Sequence, residues 1–205
     1  IEALPGRGSV FARLPATVAD PEPPLLLLSH VDVVPVDVEA WTRDPFGAEL
    51  VDGVVWGRGA VDMKDMVAME LSVMLALQRA GGERRRDVIF AALADEEAGG
   101  VYGALHWVRE RPDLFGDAAG RPAEAALNEV GGYSMTVGDR RAYAIQVAEK
   151  GIIWTRLRAS GTPSHGSMPS PDNAAIKLAR AVSQLAEAPR PARVIPVVRD
   201  FFAAL

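Results

Sequence analysis

His30 and Asp32 follow the apolar run at residues 25–29, and Asp95, Glu96 and Glu97 follow the run at 88–94. Asn128 and Glu129 follow a third run, at 123–127. Asp62 stands apart, after the turn Gly57-Arg58-Gly59-Ala60 and at the head of an amphipathic stretch. Each feature alone is ordinary, since a single imidazole after an apolar run is more often structural and adjacent acids more often form a solvated turn. Together they make a set of metal-ligand types. Several carboxylates cannot share a buried site with one imidazole unaided, because repulsion and desolvation both oppose it. Two divalent cations would offset that charge. Oxygen-rich ligands with imidazole suit Zn, with Co or Mn as alternatives, and hydrolytic two-metal sites hold their ions roughly 3.5–4 Å apart. One carboxylate must then bridge the pair. The spacing His30-Val31-Asp32 also suits a carboxylate that accepts the second imidazole N–H and fixes the tautomer.

Such residues converge only if strands deliver them to one edge. Residues 25–28 are four consecutive leucines, as in a strand buried on both faces. Val54-Val55-Trp56 reads as a short strand before the Gly57-Arg58-Gly59 turn, and residues 63–79 read as a helix ended by Gly81-Gly82. Strands follow at 88–94 and 123–127, with a helix at 103–111 stopped by Pro112 between them. Short apolar runs alternating with amphipathic stretches predict an α/β layer structure, and open parallel sheets place their sites at the carboxyl ends of strands. From residue 142 the texture changes. Residues 143–147 and 152–159 alternate apolar and polar side chains, predicting an antiparallel sheet with one wet face. Asp172-Asn173 caps a helix reaching about Ala186, and the domain boundary falls at 149/150. Trp154 with Ile152 and Ile153 is expected in the core of that second sheet, and Met63, Met66, Met69 and Met74 in the core of the first domain. Arg84-Arg85-Arg86 reads as a solvated surface turn.

Composition narrows the classes. The 205 residues are 49% hydrophobic and 24% charged, which excludes a disordered or fibrous chain. A net charge of −5 argues against a nucleic acid or an anionic membrane as partner. With no cysteine, disulfides, thiolate metal sites and cysteine nucleophiles are all ruled out. No secretion-like segment is present, so a cytoplasmic location is the expectation. A dinucleotide-binding reading of Gly57-Arg58-Gly59 fails because Asp62 occupies the third glycine position, where an acid would repel a pyrophosphate. A serine hydrolase reading fails because Ser29, Ser164 and Ser167 sit in no Gly-x-Ser-x-Gly elbow.

Five segments, in chain order, resemble one metallohydrolase family. They are His30-Val31-Asp32-Val33-Val34-Pro35, the turn from Gly57 to Lys64, Asp95-Glu96-Glu97-Ala98-Gly99-Gly100, Asn128-Glu129-Val130-Gly131-Gly132, and the loop from Gly161 to Pro169. The family is that of the dinuclear zinc enzymes aminoacylase, acetylornithine deacetylase, succinyl-diaminopimelate desuccinylase and glutamate carboxypeptidase. The resemblance runs through residues 6–181. It implies a zinc exopeptidase-like α/β fold over residues 1–149, a mixed, mostly parallel sheet with helices on both faces. A smaller α+β lid and dimerisation domain would follow, partly present in 150–205.

By resemblance, Asp62 bridges two zinc ions, His30 and Glu129 complete one metal, and Glu97 ligates the other. Glu96 matches the general base that deprotonates the water between the ions, and Asp32 the partner of the His30 ring. His165 matches the lid histidine that reaches a neighbouring subunit's active site and polarises the scissile carbonyl. The family's second metal takes a further histidine from a later part of the catalytic domain. Only His30, His106 and His165 occur here, and His106 matches no ligand motif and reads as a packed or partly exposed helix residue. That ligand is therefore expected outside these residues. The chain begins at Ile1 and stops at Phe201-Phe202-Ala203-Ala204-Leu205 without a cap, and reads as an internal piece of a longer protein.

The implied activity is hydrolysis of an amide or peptide bond beside a free amino-acid carboxylate, in an N-acyl amino acid or a short peptide. Acylase and carboxypeptidase remain open, although Asn128-Glu129-Val130-Gly131-Gly132 fits the broad aminoacylase and carboxypeptidase group better than the desuccinylases. A homodimer through the lid is implied. The rival reading is an inactive relative that binds or regulates; the presence of Glu96, Glu97, Asp62, His30 and Glu129 together argues for the enzyme.

Overall fold

The structure is a computed structural model describing every residue except Val130, Ala148, Lys150 and Leu205, together with the backbone alone for residues 131–133. By contacts the chain divides into two compact units, Ile1–Val130 and Gly131–Leu205.

Four strands form the sheet of the first unit: β1 (Val10–Leu14), β2 (Glu22–His30), β5 (Arg86–Leu93) and β6 (Ala125–Leu127), in the order β1-β5-β2-β6. A separate two-stranded ribbon pairs β3 (Glu49–Val51) with β4 (Val54–Trp56). β2 runs parallel to both its neighbours, with Leu26 opposite Ile89, His30 opposite Leu93 and Leu27 opposite Leu127. β1 closes the edge antiparallel to β5. The sheet is thus mixed and mostly parallel.

The continuous apolar runs of β2 and β5 are explained by cover on both faces. Ile89, Ala91 and Leu93 join Leu26 and Trp107 on one face, while Val88, Phe90 and Ala92 join Leu27 and Met74 on the other. Helix α1 (Lys64–Ala80) supplies Met74, Val67 and Leu77 to the second face, and α2 (Ala104–Glu110) supplies Trp107 to the first. Burying a side chain such as Ile89 or Phe90 stabilises by roughly 1.5–3 kcal/mol. The Trp107 indole N–H donates to the buried Ser9 hydroxyl at 3.1 Å, and Ser9 also accepts the Ala94 N–H at 3.2 Å. Those bonds tie the end of β5 to α2. The methionines divide: Met63 and Met74 are core residues, but Met69 faces solvent.

Arg84, Arg85 and Arg86 are more than a solvated turn. Arg85 and Arg86 both pair with Glu22 at the start of β2, Arg86 also reaches Glu124, and Arg84 donates to the carbonyl of Pro15. The run clamps the amino ends of neighbouring strands. No helix among the described residues is long and apolar enough to cross a membrane.

The second unit holds an antiparallel hairpin, β7 (Gly131–Val137) with β8 (Arg140–Ile145), turned by Gly138-Asp139 with Gly138 at φ +62°. A two-residue turn of this kind needs a positive φ, which glycine adopts freely. Two helices follow, α3 (Ala174–Glu187) and α4 (Pro196–Ala204). Asn173 caps α3 by accepting the N–H groups of Ala175 and Ile176. Sequence texture places the boundary at 149/150, whereas contacts group the hairpin with the later residues; Lys150 itself lies outside the described residues. The expected strand at 152–159 does not form. Ile152, Ile153 and Trp154 are 78%, 88% and 93% exposed, so they are not core residues here. A strand exists by pairing, and no described strand lies beside this segment.

Candidate metal centre

β2, β5 and β6 end at the same edge of the sheet because they are parallel and in register. Each carries polar residues just past its last apolar position. β2 delivers His30, 3% exposed; the turn after β5 delivers Glu96 and Glu97; the turn after β6 delivers Glu129. Asp62 arrives from the turn between β4 and α1. That turn is close-packed: Gly59 has φ +82°, and a Cβ there would lie 2.6 Å from Val33 Cγ1. Lys64 fastens it to the exit of β2, its ammonium donating to the Val31 carbonyl at 2.8 Å.

The side chains gather around the His30 imidazole. Nε2 lies 3.1 Å from Asp62 Oδ1, 3.6 Å from Glu129 Oε2 and 3.8 Å from Glu96 Oε2. Two trios of possible ligands share the ring, His30 with Glu96 and Glu129, and His30 with Asp62 and Glu97. In each, the ligand atoms lie within 4.8 Å of one another. Nδ1 faces the Asp32 backbone carbonyl at 3.1 Å, with Asp32 Oδ1 at 3.5 Å. A carbonyl can only accept, so Nδ1 donates, and Nε2 is the nitrogen turned to the carboxylates. The Asp32 carboxylate also accepts the N–H groups of Glu96 at 3.0 Å and Glu97 at 3.2 Å. It therefore ties the ring to the glutamate turn.

The charges register this crowding. Burial would lower the His30 pKa, but the carboxylates of Glu129, Glu96 and Asp62 outweigh it, and the ring is raised above its ordinary value. Partial desolvation pushes the half-exposed Glu96 up, against the pull of His30, and Glu97, Asp32 and Asp62 push it further. Glu129 rises for the same reasons, through burial, Asp62 and Glu96, and it shares a hydrogen bond with Asp62. A bare cluster of this kind repels itself. The donor set, one imidazole nitrogen and several carboxylate oxygens in two overlapping trios, fits divalent cations.

The residues picked out on the first unit, His30, Asp32, Asp62, Glu96, Glu97 and Glu129, thus come together at one strand edge. His165 belongs to the second unit, on a loop that is itself well held. The Thr162 N–H and hydroxyl both donate to the Asp172 carboxylate, at 2.8 and 2.7 Å, and Lys177 pairs with the same acid. His165 Nδ1 accepts the Ser167 N–H at 3.2 Å and lies 2.7 Å from the Ser167 hydroxyl. His106 is half-buried on α2, edge-on to Trp107 with ring centroids 4.7 Å apart. Sequence reasoning assigned nothing to Arg7, Ser9 or Lys64. No local spacing marks them, because each meets a group distant in the chain: Arg7 the buried Asp95 carboxylate, Ser9 the Ala94 N–H, and Lys64 the Val31 carbonyl.

The model of the peptidase family M20/M25/M40 matches residues 26–201. Aminoacylase-1 from Sus scrofa is 32% identical over 189 residues, covering 90% of this chain and 43% of that protein. Succinyl-diaminopimelate desuccinylase from Rhodospirillum centenum is 33% identical over 186 residues, covering 88% of this chain and 44% of that protein. Among solved structures, an M20 family metallo-carboxypeptidase from Sulfolobus solfataricus matches with a TM-score of 0.48 at 24% identity, covering 59% of this chain and 25% of that one. The chain spans less than half the length of the curated relatives it matches. Matched by the family model over most of its length, the chain belongs to peptidase family M20/M25/M40.

Proposed function

We propose that this chain carries the catalytic centre of a metal-dependent hydrolase that cuts an amide or peptide bond beside a free amino-acid carboxylate. The observation that carries this is the pair of ligand trios sharing His30 at the carboxyl ends of three parallel strands. Kinship with an aminoacylase and a desuccinylase supports an N-acyl amino acid or short peptide as substrate.

His30, Asp62, Glu97 and Glu129 are the residues that would hold two divalent cations, zinc by preference. Asp62 is the bridging candidate, since it lies in the trio with Glu97 and also meets Glu129. When bound, such cations lower the pKa of water and stabilise negative charge on a carbonyl oxygen. Glu96 is the general base: it accepts a proton at its carboxylate from the attacking water and returns it to the leaving amine. Its raised pKa, from partial desolvation and the neighbouring carboxylates of Glu97, Asp32 and Asp62, supports that role, because it moves toward the value at which a group both accepts and releases a proton near neutrality. Asp32 holds the His30 ring with Nδ1–H engaged, leaving Nε2 for a cation. In this scheme residues 1–149 form the catalytic domain and 150–205 part of a lid, whose His165 polarises the scissile carbonyl in the partner subunit of a homodimer.

The test is elemental analysis and a hydrolysis panel of N-acyl amino acids and dipeptides, with zinc or cobalt. Glu96→Ala is expected to keep its metal and lose turnover by about 10²–10⁴-fold, while Asp62→Ala loses both ions. Equal metal loss in the two variants would refute the division of roles, and no metal in the parent chain would refute the centre.

A further inference from the structure

Asp95 is the one acid of the Asp95-Glu96-Glu97 run that belongs to neither trio around His30. It is 2% exposed, and its φ of +73° lies in the left-handed region, which residues with a Cβ seldom adopt. The surroundings hold it there. One carboxylate oxygen accepts the Tyr102 N–H at 2.9 Å, the other lies 3.6 Å from the Arg7 guanidinium, and the Asp95 carbonyl accepts the Gly100 N–H at 2.6 Å.

The consequence falls on the next two residues. Had β5 continued as a strand, successive N–H groups would point to opposite sides. After the reversal at Asp95, the N–H groups of Glu96 and Glu97 converge instead on one anion, the Asp32 carboxylate. Consecutive amides gathered this way form an anion-binding concavity, and here it is filled from within the protein. Asp32 in turn engages the His30 ring. A chain of contacts thus runs from Tyr102 and Arg7, through Asp95, to the placement of Glu96, Glu97 and His30.

We propose that Asp95 is a positioning residue: its buried, hydrogen-bonded, left-handed conformation holds the Glu96-Glu97 turn on Asp32, and cation affinity depends on it although it is no ligand. This rests on the metal centre proposed above. Three substitutions separate the components. Asp95→Asn keeps an acceptor for Tyr102 and tolerates positive φ, Asp95→Gly keeps only the conformational freedom, and Asp95→Ala keeps neither.

The experiment is zinc titration by calorimetry, with amide hydrogen exchange at Glu96 and Glu97 in the metal-free protein and circular dichroism as the check on folding. Asp95→Asn is expected within about threefold of the parent, and Asp95→Ala to bind zinc roughly 10–100-fold more weakly with faster exchange at both amides. Asp95→Gly should fall between them. Parental zinc affinity and exchange in Asp95→Ala would overturn the proposal, as would Asp95→Asn behaving like Asp95→Ala. If Asp95→Ala does not fold, equal affinity and exchange in the glycine and asparagine variants overturns it. A parent chain that binds no zinc sinks the metal centre instead, and the exchange rates alone then decide whether Asp95 holds the turn.

Discussion

β5 and the segment 152–159 carry comparable apolar content, yet they end in opposite states. Residues 89–93 of β5 are at most 3% exposed, whereas Ile152, Ile153 and Trp154 stand in solvent. β5 lies between two strands and beneath two helices, so every apolar side chain has a partner on its own face. No described strand lies beside residues 152–159, and hydrophobicity without a neighbour yields neither a strand nor a core. The lesson is that an apolar pattern states a demand for burial, and the rest of the fold decides whether the demand is met.

The largest effect that would break this contrast is in the core. Phe90→Ala, which opens a hole between β5 and α1, is expected to cost about 3–5 kcal/mol in denaturant unfolding. A loss under ~1 kcal/mol would mean the sheet is less tightly packed than its burial shows.

Glu70 gives a smaller effect of opposite sign. It is a carboxyl on α1, 5% exposed, whose oxygens lack a well-formed hydrogen bond among the described residues. Burial pushes its pKa up, and the nearby Ser29 hydroxyl offsets only part of that. A raised carboxyl pKa means that the folded state binds the proton more tightly than the unfolded one. Stability should therefore fall as pH rises from the ordinary value of 4.5 through the raised value, and then level off. Glu70→Met is expected to stabilise the neutral-pH protein by about 1 kcal/mol and to flatten that slope. An unchanged pH profile would show that Glu70 is solvated after all.

Asp172 sharpens the comparison from the second unit. Its hydrogen bonds to Lys177 and Thr162 pull its pKa down to about 2. The contribution is complete above its ordinary value of 3.8 and is lost as pH falls through about 2. Amide exchange at Thr162 should accelerate over that acid window, and Asp172→Asn should remove the acid dependence. Smallest of all, Trp154→Ala is expected to change stability by less than ~0.5 kcal/mol. A larger loss would show that Trp154 is covered in solution, and the contrast with β5 would dissolve.

Much of the first unit was legible in the chain. The four leucines at 25–28, the apolar run at 88–94 and the Gly81-Gly82 stop all fall within or beside elements of the structure, because composition and period constrain them locally. β1 escaped notice, since Val10-Phe11-Ala12-Arg13-Leu14 is weakly patterned and becomes a strand only by lying against β5. The candidate site residues were legible as types at strand ends. The part played by Asp95 was not, because a left-handed acid and its Tyr102 and Arg7 partners leave no spacing to read.

Residue type and order alone decided which groups were available: one imidazole after β2, acids after β5 and β6, and a lone carboxylate ahead of α1. These are covalent facts, and strand polarity sends them to a common edge. Distances, tautomer and charge were settled by the tertiary structure, because they arise where segments far apart in the chain meet around one buried imidazole. The 3.1 Å between His30 and Asp62 and the grip of Asp32 on both glutamate amides belong to that packing.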